Sequence, residues 1–195
     1  SYDLDTNNNN WAAQGFPALD YLLFGLADTN SNSLIFYQNN ENLPYLNYLQ
    51  AIASQMSQVT DMVHQDWIAT RDAFVSSSEN TATSSLNMLT NDFIYYFEKG
   101  LRTNKFGIPA GVFSANNTRS ANVEAYYNTT QSKVLSLEAL VAVEGFFKGK
   151  AYNSTAVGAS LKSYLDYMTE NSTISTAIIT KFTDSEQLIN MLDDN

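Results

Sequence analysis

The sequence predicts an all-α protein built as an up-and-down helical bundle. Three observations point there. Apolar residues recur at three- and four-residue steps through most of the chain. No stretch shows the apolar–polar alternation of a half-buried strand. One stripe runs for roughly 30 residues without an internal breaker, about 45 Å of helix, which calls for antiparallel partners of similar length.

Taken in order, the first helix is expected from about Gly15 to Leu26. Phe16, Leu19, Leu22, Leu23 and Leu26 form its stripe, and Pro17 sits in its first turn, where a missing N–H costs little. A polar loop is expected from Asp28 to Asn42, holding the short apolar run Leu34 to Tyr37. The long second helix follows, opened by Asn42 and Pro44 and striped by Tyr45, Leu49, Ile52, Met56, Val59, Val63, Thr70 and Phe74. It closes at the serine run Ser76-Ser77-Ser78. A third helix covers Thr83 to Arg102, and the segment Asn104 to Gly111, with two glycines and a proline, reads as a shaped connection. A fourth runs from about Asn122 to Phe147, ended by Gly149. A fifth runs from Thr155 to Thr169, and a last one begins after Asn171-Ser172. No fixed solenoid period and no internal domain boundary emerge, so residues 1–195 read as one helical domain.

Composition narrows the function. With 44% hydrophobic and 13% aromatic residues, burial can offset chain entropy. The formal charge of −10 repels nucleic acid and anionic lipid, so neither is an expected partner. With no cysteine there can be no disulfide, thiolate metal site or cysteine nucleophile. No apolar run reaches membrane-spanning length and no signal peptide is visible, so a processed product or a fragment is expected. Glycosylation sequons stand at Asn116, Asn128, Asn153 and Asn171, but so short a pattern recurs by chance in a chain rich in Asn and Thr, with its run Asn7 to Asn10.

Few residues offer chemistry. His64 is the sole histidine, inside the long helix and one turn from Asp61. One histidine without cysteine builds a metal site or a triad only with carboxylates. Asp20, Glu98, Glu124, Glu138 and Glu144 are the carboxylates that could face a bundle interior, but the Glu-x-x-His pair of bundle metal sites is absent. Glu144 stands in the apolar run Val141 to Phe147, so it needs an exposed strip or a partner. Lys99, Arg102, Lys105 and Arg119 gather around the glycine loop, where neutralising nearby carboxylates is the first reading and anion binding the second. There is no phosphate loop, dinucleotide fingerprint or serine elbow. Tyr21, Tyr126 and Tyr127 either line a pocket or fill the core, core being the default for aromatics at helical spacing.

Three segments carry a family resemblance: Gln14 to Gly25 (QGFPALDYLLFG), Lys105 to Gly111 (KFGIPAG), and Val123 to Tyr127 (VEAYY) with the helix up to Gly149. In order and separation they resemble the imelysin-like proteins. The resemblance implies an all-helical fold of two bundle-like halves, longer than this chain. It also implies a bacterial periplasmic or surface protein, often a lipoprotein anchored upstream, tied to iron uptake. Founding members were described as peptidases. The family motif is glycine, any residue, histidine, two residues, glutamate. Here Gly15 matches the glycine, Pro17 stands at the histidine and Asp20 at the glutamate. Proline offers a metal nothing, and aspartate is one methylene shorter than glutamate.

The resulting expectation is a binding protein of the cell envelope with no catalytic residue and iron or haem as ligand. Gly15, Pro17 and Asp20 would mark its site, and Tyr21, His64, Arg102, Lys105 and Glu124 could line a cleft. Its partner would be a small ligand, a metal ion or another envelope protein. The alternatives are a metal-dependent hydrolase, using Asp20 with Glu98 or His64, and a structural module.

Overall fold

The computed structural model describes residues 4, 13–38 and 43–193. Asn42 and the run Asn7 to Asn10 lie outside them. Among the described residues the protein is all-α, with no strand and one isolated antiparallel bridge between Lys150 and Val157. No helix among them is long and apolar enough to cross a membrane. The chain resolves into two compact units: unit 1 is Ser1–Glu79 with Glu124–Thr129, and unit 2 is Asn80–Val123 with Thr130–Asn195.

Unit 1 contains α1 (Gly15–Phe24), α2 (Asn30–Gln38) and α3 (Leu43–Ser76), each touching the other two. The expected Asp28–Asn42 loop is therefore corrected: most of it is α2. Its polar start, Asn30-Ser31-Asn32-Ser33, hides the helix from a search for apolar stripes. The Thr29 hydroxyl caps it by accepting the Asn32 N–H at 3.2 Å. Leu4, Ala18, Leu22 and Ile52 form the buried core, with Leu19, Leu49 and Met56 against it. Each fully buried Leu or Ile contributes about 1.5–3 kcal/mol. The 34 residues of α3 use this core only in their first half. From Val59 to Ala73 every residue is exposed, Met62, Val63, Trp67 and Ile68 included.

Unit 2 opens with α4 (Ser85–Tyr95), which continues without a break into a π-helical stretch, Tyr96–Gly107. The expected helix end at Arg102 and the loop from Asn104 are thus displaced. The wide coil carries on to Gly107, and the Ile108 N–H donates to Thr103 O, five residues back, at 2.9 Å. Then come α5 (Thr129–Lys148), α6 (Leu161–Thr169) and α7 (Thr173–Asn190). Two expected starts are corrected. Ahead of α5, only Ser120–Asn122 forms a short 3₁₀ turn, and Ala125 adopts φ +54°, which no helix tolerates. Before α6, Ser160 and Ser163 form a reciprocal capping box that sets the first helical residue at Leu161 rather than Thr155. Leu101, Leu140, Val143, Phe147, Phe182 and Ile189 make the core. Phe182 meets Phe97 edge-on at 6.0 Å and Phe147 at 6.2 Å.

Candidate functional site

The site forms in unit 1 where α1 begins. Gly15, the first residue of α1, has φ +67°, a left-handed conformation that favours glycine, and it turns the chain into the helix. Gln14 ties this turn to α3, accepting the Gln55 amide at 3.0 Å. Pro17 follows in the first turn. From there Pro17, Ala18, Tyr21 and Leu22 put one face of α1 toward the start of α3, which offers Pro44, Tyr45 and Tyr48. These residues, with Ala13 and Tyr127, line a cavity of about 590 Å³, a size suited to a small organic ligand.

Asp20 is a strut of this pocket. Its Oδ2 accepts the Tyr127 N–H at 2.9 Å, across 107 positions of sequence. The bond gives the Tyr127 amide a partner ahead of the first residue of α5. It also sets the Tyr127 ring edge-on against Tyr21 at 5.2 Å, with Tyr126 edge-on behind it at 5.0 Å. Gly25 makes room for the pair: a Cβ there would stand 2.6 Å from the Tyr127 ring and 2.7 Å from that of Tyr21. Tyr48 donates its hydroxyl to Ala13 O. Beneath the site, Tyr37 donates to Leu22 O, and burial, then the neighbouring Tyr45 phenol, raises its pKa above the ordinary value.

The sequence-derived residues separate clearly. Gly15, Pro17, Asp20 and Tyr21 come together at the start of α1, and Glu124 lies in the short segment that Asp20 anchors. His64 is on the exposed stretch of α3 and does not line the cavity. Arg102 and Lys105 belong to the π-helical stretch of unit 2, where Arg102 Nε donates to Glu98 at 2.7 Å. Glu98 is thereby engaged in that pair. Glu144 has found its partner in Lys148, one turn on, at 2.5 Å. No three of His, Cys, Asp and Glu gather among the described residues in a way that could hold a metal ion. Sequence reasoning places Tyr45 in the apolar stripe and Pro44 at the helix start, and names neither of them, nor Tyr48, as a site residue. The run Pro44-Tyr45 with Tyr48 one turn on was the available signal, mirroring Pro17-Ala18 with Tyr21 on α1.

Fold and site define a class: an all-α protein of two helical units, with an apolar tyrosine-walled pocket at the start of the first helix. The imelysin family model (Peptidase_M75) matches residues 2–195, and the chain belongs to the imelysin family. No curated protein and no solved structure matches it.

Proposed function

We propose that this chain is a non-enzymatic binding protein of the bacterial cell envelope, serving iron or haem uptake, with its ligand in the pocket at the start of α1. One observation carries the reading: the motif positions serve as wall and strut. Pro17 is apolar lining, and a carboxylate oxygen of Asp20 is committed to the Tyr127 amide. A peptidase needs a metal or a nucleophile beside a polar cleft, and this wall is overwhelmingly apolar. Family membership supports the iron and envelope parts of the reading.

Calorimetric titration of the full-length protein with ferric, ferrous and zinc ions and with haem tests it, beside a peptide-cleavage assay with and without chelator. Haem binding without cleavage is the expected outcome. Flat traces for every iron species, or chelator-sensitive cleavage, would overturn the proposal.

A further inference from the structure

The unit 1 pocket combines two features that together specify the charge of its ligand. The first is its wall. Of nine lining residues, four are tyrosines (Tyr21, Tyr45, Tyr48 and Tyr127), two are prolines, and none is charged. Aromatic faces carry the negative lobe of the ring quadrupole and attract a cation within about 6 Å. The second is the field. Unit 1 holds ten acidic residues and one basic residue, Arg71, a formal charge of −9. Arg71 is on the exposed stretch of α3 and pairs with Asp72 at 3.0 Å. A cleft in such a unit concentrates cations and repels anions.

We propose that this pocket is an aromatic cage for a bulky apolar organic cation, a quaternary ammonium compound being the model case. The proposal rests on the reading of the pocket as the ligand site and adds the ligand's chemistry. A primary ammonium would exchange strong hydration for a mostly apolar wall, whereas a nitrogen covered by carbon substituents has little hydration to lose. The volume of about 590 Å³ exceeds what a small alkylammonium head fills, so the cation brings apolar bulk with it.

The test is calorimetry on the full-length protein with 3-hydroxyphenyltrimethylammonium and its neutral isostere 3-tert-butylphenol. They share shape and differ in charge. The cation should bind about tenfold more tightly. The gap should shrink as salt rises from about 20 to 500 mM, because the field is screened. Tyr45→Phe, which keeps the ring face, should retain the preference; Tyr45→Leu should weaken the cation's binding more than the phenol's and so narrow the gap. Equal affinities, or no binding of the cation by folded protein, would overturn the proposal. If haem binds and the cation does not, the cage falls and the iron-linked function survives. If the cation binds and haem and iron do not, the cage stands and the iron-linked function falls.

Discussion

The two units carry equal numbers of acidic residues, ten each, and treat them in opposite ways. Unit 2 sets nine basic residues against them and has a formal charge of −1. It places several of these residues one helical turn from a carboxylate: Arg102 with Glu98, Lys148 with Glu144, Lys162 with Asp166 and Lys181 with Asp184. It also buries six large apolar side chains in one core. Unit 1 leaves its charge of −9 almost uncompensated and has a smaller core, yet it builds the cavity. Pairs on a helix surface are individually worth only a few tenths of a kcal/mol, so the contrast says little about total stability. It separates a self-neutralised scaffold from a unit whose field extends to whatever it binds.

The largest effect that tests this division is expected in the unit 2 core. Phe182→Ala removes the ring that Phe97 and Phe147 both touch, and should cost unit 2 about 3–5 kcal/mol. Both tryptophans, Trp11 and Trp67, fall in unit 1, so their fluorescence follows that unit alone. Circular dichroism sums the helices of both units; in urea its unit 2 part should move to lower denaturant while the tryptophan transition stays put. A common shift of both would mean that the units unfold as one.

Next in size is the strut. Asp20→Ala deletes the acceptor of the Tyr127 amide, a charge-assisted bond worth about 1.5 kcal/mol at this half-exposed position. Because the bond anchors the Tyr127 wall, pocket affinity should fall more than unit 1 stability does. Asp20→Asn keeps an acceptor and should recover most of the loss. If Asp20→Ala binds as well as the parent, the strut is not what shapes the pocket.

These two sites also show what the sequence makes legible. The core positions Leu22 and Ile52 both stand in predicted apolar stripes, because helical period encodes burial directly. The long helix was readable for the same reason, but the partners of matching length that it called for do not appear among the described residues of unit 1. α2 was not readable, since its stability comes from a cap and from Tyr37 reaching Leu22, neither of which leaves a periodic trace. The start of the site was visible in Gly15-Phe16-Pro17-Ala18-Leu19-Asp20. Its closure was not: one bond between residues 107 positions apart sets where Tyr127 sits, and no local pattern announces such a bond.

A smaller effect distinguishes the units by salt. Screening should relieve self-repulsion in unit 1 and weaken the surface pairs of unit 2. Between about 20 and 500 mM salt the tryptophan transition should shift up by on the order of 1 kcal/mol, with the part of the dichroic change that does not follow tryptophan flat or slightly down. Parallel shifts would mean that the −9 charge is not felt by unit 1 in particular.

The smallest effect concerns the acid limb of unit 2. Asp166 accepts hydrogen bonds from Lys162, at 2.6 Å, and from the fully buried Ser175, joining α6 to α7. These bonds, the lysine's first and then the serine's, hold its carboxyl below the ordinary value of 3.8. A carboxyl whose pKa is lower in the folded state stabilises the fold above its unfolded value and loses that contribution as pH falls through the folded one. The parent should therefore lose unit 2 stability below about pH 4 more steeply than Asp166→Asn, which has no proton to take up there. At pH 7 the variant should be the less stable of the two, since its neutral amide meets the Lys162 ammonium less well. The dichroic transition measured from pH 7 to 3 reads both differences. Parallel curves for parent and variant would assign the acid sensitivity of unit 2 to other carboxyls and leave Asp166 as a neutral link between the last two helices.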